Sequence, residues 1–181
     1  MHRRWSGGLA ATLASIAMAC LSTTVAAVEP LEHQVKAAFL FNFARFTTWP
    51  PAKFSGDADA LRFCVLEQDP FARVLEATLQ DKRIERRALT VHRARRAEDL
   101  RDCHVAYLDA LDADRLLAAL ITLAGSGVLT VYEGTETLPG GAIRFYLVDR
   151  TVHFEINTAA TEREQLQLSS HLLSVASVVR R

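Results

Sequence analysis

The chain has 181 residues, half of them hydrophobic, and its 21 basic side chains are balanced by 21 acidic ones. That length suits one domain with an ordinary buried core, and the absence of net positive charge argues against a nucleic-acid partner. No internal repeat or low-complexity tract interrupts it.

The N-terminus has the make-up of an export signal. Met1 to Trp5 carry Arg3 and Arg4 without an acid, and Leu9 to Ala19 follow as an apolar run broken only by Thr12 and Ser15. The run is shorter than the roughly 20 apolar residues that span a bilayer. Val25-Ala26-Ala27 supplies the small residues read by a signal peptidase, so cleavage is predicted after Ala27. Residues 1–27 are then a signal peptide and 28–181 a single exported domain, with Cys20 discarded. An uncleaved anchor is the alternative.

Leu31, Val35, Phe39, Phe43 and Phe46 recur at helical spacing up to Trp49-Pro50-Pro51, where the prolines stop the helix. Phe41 falls on the opposite side from Phe39 and Phe43, beside Gln34 and Arg45. Leu61 to Leu66 reads as a strand, and Asp69-Pro70 opens a helix carrying Phe71, Val74, Leu75 and Leu79. A brief strand at Leu89-Thr90-Val91, a better one over Cys103 to Leu108, and a helix over Ala113 to Ala124 follow. Gly125-Ser126-Gly127 closes that helix ahead of a strand over Val128 to Tyr132.

Strands alternating with helices of this length predict parallel βαβ units, hence a three-layer α/β/α sandwich with a mostly parallel sheet. After the turn-rich stretch Gly134 to Gly141 the period changes. Ile143, Phe145 and Leu147 alternate with polar residues, and so do Val152, Phe154 and Ile156, around Asp149-Arg150. This reads as an antiparallel hairpin at one sheet edge. A last helix is expected from about Gln165 to Val179, with Leu168, Leu172, Val175 and Val179 on one stripe. Ser169, Ser170, Ala176 and Ser177 then surround Leu173 on another side.

Cys64 and Cys103 survive cleavage, and in an oxidising compartment they have one possible intramolecular pairing; two reduced, buried thiols are the alternative. With strand order 2-1-3-4-5 their strands are neighbours, where a bridge could serve as a redox-responsive staple. Lys82 to Arg101 holds eight basic residues interleaved with acids, which reads first as a solvated face and second as a docking patch.

Candidate catalytic groups are sparse. Glu67, Asp69 and Asp109 follow strands where a phosphoacceptor receiver keeps its acids, yet the fifth strand exits as Leu147-Val148-Asp149 without lysine. An exported domain also meets no cytosolic phosphodonor. His33, His92, His104, His153 and His171 have no paired spacing, so no metal site is expected. Ser169, Ser170 and His171 sit in the expected helix, where neighbours fan apart, and no Gly-x-Ser-x-Gly elbow exists. Neither a catalytic site nor a cofactor is therefore expected. An open α/β sheet can still bind a small ligand at the carboxyl ends of its strands, near Glu67, Asp109 and Glu133.

The run Glu32-x-Gln34-Val35-Lys36-Ala37-Ala38-Phe39-Leu40-Phe41-Asn42-Phe43-Ala44-Arg45-Phe46-x-x-Trp49-Pro50 resembles the opening of YfiR-like periplasmic proteins. The likeness continues through Phe63-Cys64-Val65-Leu66, Asp69-Pro70-Phe71, Asp102-Cys103-His104, Val128 to Val131, Phe154 to Asn157 and Leu168-Ser169-Ser170-x-Leu172-Leu173. The resemblance implies a periplasmic, non-enzymatic repressor that binds the periplasmic region of an inner-membrane diguanylate cyclase and so controls cyclic di-GMP and biofilm. It also implies an outer-membrane lipoprotein as a second partner, with a homodimer as a further possibility. The family's cysteine pair falls on Cys64 and Cys103, while Gly134 to Val152 lacks the later pair of the family's best-known member. Phe41, Leu173, Ser169 and Ser170 are the expected partner contacts.

Overall fold

A computed structural model of the chain describes residues 31–56, 59–67, 69–109 and 111–180. The expected signal peptide and Cys20 lie outside the described residues.

Helix α1 (Leu31–Arg45) buries a broad apolar side and exposes Gln34, Ala38, Asn42 and Arg45 on the other. Ala37, Leu40, Phe43 and Ala44 are fully buried, and Phe39 and Phe41 pack half-buried against the same cluster. It stops before the prolines because Thr47–Thr48 form a short strand, β1. The chain then turns through Pro51–Lys53 into β2 (Leu61–Leu66) and α2 (Phe71–Leu79). A two-stranded ribbon follows, β3 (Arg83–Ile84) and β4 (Arg87–Ala94), longer than the brief strand expected at Leu89 to Val91. Next come β5 (Val105–Leu108), α3 (Ala113–Leu123) and β6 (Leu129–Glu133). The Asp112 side chain accepts from the Arg115 backbone N–H and so starts α3.

Strands β7 (Ile143–Val148) and β8 (Thr151–Asn157) form the expected hairpin. Both loop residues, Asp149 and Arg150, have positive φ, the two-residue turn whose twist suits flanking strands. Gly141 lies against the Tyr132 ring, where any Cβ would come within 2.2 Å of a ring carbon. Only glycine fits there.

The last segment differs most from the sequence expectation. In place of one helix from Gln165 to Val179, the chain forms α4 (Thr158–Arg163), β9 (Gln167–Leu168), α5 (Ser170–Val175) and β10 (Val178–Arg180). Gln165 takes a positive φ that breaks the helical path, and β9 pairs antiparallel with β1. Ser169 then caps α5 by accepting from the Leu172 N–H at 3.2 Å. The β-branched pair Val178-Val179 adds to β8 as a parallel strand, so the hairpin is not the sheet edge.

The main sheet runs β10-β8-β7-β6-β5-β2-β4-β3, and β4-β2-β5-β6-β7 are parallel throughout. In strand-number terms this central block is the expected 2-1-3-4-5. Alternation along each strand divides the core in two. Leu61, Phe63, Val65, Val105, Tyr107, Leu129 and Val131 join α1 and α2 on one face. Cys64, Ala106, Leu108 and Tyr132 join α3 on the other. The result is the three-layer α/β sandwich the sequence predicts.

Candidate functional site

At the carboxyl ends of β2, β5 and β6 the core gives way to charge. Lys36, only 2% exposed, reaches in from α1 and donates to both Glu32, one turn earlier, and Glu133 at the end of β6. Burial alone would depress its ammonium; the hydrogen bonds and charges of Glu133 and Glu32 outweigh that and hold it above the usual lysine value. Tyr107, fully buried near the end of β5, donates its hydroxyl to Asp109 Oδ2 at 3.3 Å. Burial and the surrounding charges of Asp109, Glu133 and Asp69 raise this phenol, so it stays protonated.

Asp69 sits between β2 and α2. Its Oδ1 accepts from the Phe71 backbone N–H at 2.9 Å, which secures the first turn of α2. Its Oδ2 is buried and has no hydrogen-bond partner. Burial raises the carboxyl, and the charge of Asp109 adds to this, while the Phe71 hydrogen bond and the charges of His33 and Lys36 act against it. The net shift is upward. His33 Nδ1 is likewise buried without a partner, its ring edge-on to Phe71 at 5.7 Å.

Asp69 and Asp109 face a cavity of about 360 Å³ walled by Leu66 and Leu111 and fringed by Glu67, Arg95 and Arg115. Arg95 is paired with Glu67, and Arg115 with Asp112. The sequence places Glu67, Asp69, Asp109 and Glu133 here from their positions after strands. Lys36, Glu32 and Tyr107 are not readable in this way, because a lysine inside an apolar helical run gives no sign of which strand end it will meet. One signal is the helical spacing itself: Lys36 stands one turn before Leu40 and two before Phe43, on a stripe that faces the core, with Glu32 one turn earlier as a partner.

The opposite end of the sheet is aromatic instead. His104, 1% exposed, accepts on Nδ1 from the Arg62 N–H and stacks on Phe54 at 4.5 Å, with the Arg87 guanidinium 3.6 Å from that ring. Burial, together with the charges of Lys53, Arg62 and Arg87, lowers His104 to about 4. It is a neutral core histidine.

The expected partner contacts fall in two places. Phe41 is half-buried on α1, with the Lys82 ammonium 5.0 Å from its ring centre. Leu173 is half-buried on α5 against the main core, Ser170 is exposed, and Ser169 is occupied as the cap of α5. The C-terminal end of α1 joins α5 through Phe46, whose carbonyl accepts from the Ser169 N–H and whose ring meets His171 at 5.0 Å. Beyond Leu173 the chain exposes Val175, Val178 and Val179.

Cys64 and Cys103 are joined, with Cα atoms 6.0 Å apart, inside the range a disulfide requires. Cys103 lies just before β5 rather than within it, and both residues are buried under the α3 face. Among the described residues no group of three or more His, Cys, Asp or Glu side chains could hold a metal ion. No described helix is long and apolar enough to cross a membrane.

No curated protein matches the chain. A family pattern does: residues 33–177 match the family described as YfiR/HmsC-like, from the early turns of α1 to the approach of β10. The chain belongs to the YfiR/HmsC-like family.

Proposed function

We propose that this protein is a periplasmic, non-enzymatic regulator that binds the periplasmic sensor region of an inner-membrane diguanylate cyclase and holds the enzyme inactive. The observation that carries the reading is the family match over residues 33–177. Repression lowers cyclic di-GMP and with it biofilm formation. An outer-membrane lipoprotein that takes up the regulator releases the cyclase.

The role asks only for differential affinity between two states of the cyclase, about 1.4 kcal/mol for each tenfold shift in population. Surface complementarity can supply this without reacting groups. The surface offered is the α5 corner, with Leu173 and Ser170 beside exposed Val175, Val178 and Val179; Phe41 on α1 is a second, separate contact. Exposed apolar side chains mark a protein-binding surface where they form a contiguous patch.

The test is capture from the periplasmic side of detergent-solubilised membranes with tagged protein, and cyclic di-GMP assay in cells lacking it. Recovery of a diguanylate cyclase, together with raised cyclic di-GMP on deletion, is expected. Val175→Asp, at a position 54% exposed beside Leu173, should weaken capture at least tenfold while leaving the fold intact by circular dichroism. Unchanged cyclic di-GMP on deletion, with no cyclase recovered, overturns the reading.

A further inference from the structure

We propose that the edge of the sheet formed by β3, its turn and the start of β4 docks on a bilayer of anionic phospholipid through Lys82, Arg83, Arg86 and Arg87.

The basic run from Lys82 to Arg101 does not act as one face. In its later part the arginines are neutralised: Arg93 pairs with Glu76, Arg95 with Glu67 and Arg96 with Asp99. Lys82, Arg83, Arg86 and Arg87 form no ion pair among the described residues. Arg83 donates to the Arg86 carbonyl, and Arg87 donates to the carbonyls of Gly56 and Asp59 while its guanidinium lies on the Phe54 ring. The Lys82 ammonium lies over Phe41. Lys82, Arg83 and Arg86 are exposed. Asp81 and Glu85 share the segment, so residues 81–87 carry four cations against two acids and keep an excess of two positive charges.

The same polarity runs through the whole sheet. Arg87 opens β4, which runs parallel to β2, so this edge lies at the amino ends of the strands. Lys53 and Arg62 join Arg87 around His104 at that end, and Arg101 is exposed just before β5, against Asp59 and Asp102. The carboxyl ends carry Glu67, Asp69, Asp109 and Glu133 instead. A protein charged in this way meets an anionic surface with its amino-end edge foremost, because that edge is attracted while the other end is repelled.

Phospholipid suits the edge chemically. Three of the four cations are arginines, whose planar guanidinium pairs with two phosphate oxygens at once. Lys82 and Arg87 rest on the half-buried rings of Phe41 and Phe54, so apolar bodies stand behind charged tips, an arrangement favoured at headgroup level. Cations on an edge strand also discourage pairing with another sheet. That accounts for Arg83 alone, since Lys82 and Arg86 lie outside β3 and Arg87 belongs to an inner strand. The balanced charge of the whole chain argues against a nucleic acid.

Failure of this proposal leaves the cyclase reading standing, because the test needs only purified protein and pure lipid. The mature protein is floated with vesicles of equal parts phosphatidylglycerol and phosphatidylethanolamine, and separately with vesicles of phosphatidylcholine. Binding to the first alone is expected, and it should be lost when salt is raised from about 20 mM to about 500 mM. Each cation removed should weaken binding about fivefold, so the triple variant Lys82→Gln, Arg83→Gln, Arg86→Gln loses about a hundredfold. Glu85→Gln should tighten it about fivefold. Arg95→Gln with Arg96→Gln, which removes cations already paired with acids, should change it less than about twofold. Circular dichroism should show every variant folded. Absence of binding to the anionic vesicles overturns the proposal, as does equal binding to phosphatidylcholine, full binding by the triple variant, or an equal loss in the Arg95 and Arg96 variant. Loss of cyclase capture by the triple variant with no vesicle binding would assign the edge to an acidic protein, which overturns it equally.

Discussion

Glu155 and Asp69 are both buried carboxylates on this one sheet, and they are treated in opposite ways. Glu155, on β8, faces away from α1 and α2 beside its cross-strand partner Arg144. Arg144 Nε donates to it at 2.9 Å, Thr137 donates its hydroxyl, and Arg180 approaches at 3.5 Å from β10. The Arg144 hydrogen bond and charge, with help from Thr137 and Arg180, overcome burial and hold this carboxyl at about 2. Asp69 has one backbone donor, one empty oxygen and a raised titration point. A fully served buried acid fixes structure, whereas a half-served one is costly unless something else supplies the second half.

The sharpest way to break the comparison is to remove a partner from the served acid. Arg144→Ala strands Glu155 without its main donor and leaves the Gly134 carbonyl unbonded. Loss of one member of a buried pair costs about 3–5 kcal/mol. Urea denaturation should register that loss directly; a change below about 1 kcal/mol would mean water replaces the guanidinium.

A second test uses acid. The folded carboxyl of Glu155 lies near 2 against an ordinary 4.5, so its contribution is fully present above pH 4.5 and disappears as the pH falls toward 2. The depression corresponds to about 3 kcal/mol. Stability measured from pH 6 down to pH 2 should fall across that window, and Glu155→Gln should flatten the fall.

The smallest expected effect has the opposite sign. Asp69 titrates above its ordinary value, so it is destabilising once ionised, and the penalty grows as the pH rises through the folded value. The groups that set it are Asp109, His33 and Lys36, besides the Phe71 N–H. Asp69→Asn retains the bond to α2 and should raise the unfolding midpoint at neutral pH, by within about 1 kcal/mol. The gain should vanish at pH 3, and loss of stability at neutral pH would show that the charge of Asp69 is already compensated.

The same pair of acids shows how far the sequence can be read. Asp69 before Pro70 announces a helix start, and Glu155 between Phe154 and Ile156 announces the outer face of a strand. Neither context says which cation will arrive, because Arg144 meets Glu155 only through hairpin register and Arg180 only through the added strand. Lys36 and Glu133 are 97 residues apart in the chain. The C-terminal segment fails as a sequence reading for a related reason: Leu168, Leu172, Val175 and Val179 do follow helical spacing. Pairing of Gln167–Leu168 with Thr47–Thr48, and the open side of β8, outweigh that spacing.

The order of the principal strands and helices from α1 to β8, the face each of those strands turns inward, and the pairing partner available to Cys64 were determined by the sequence alone, since apolar periodicity and residue chemistry are local properties. Tertiary structure decided which charges are satisfied, which oxygen of Asp69 is left over, and how residues 165–180 fold. Those outcomes depend on groups brought together from distant parts of the chain, and a buried charge has no fixed energy until its neighbours are in place.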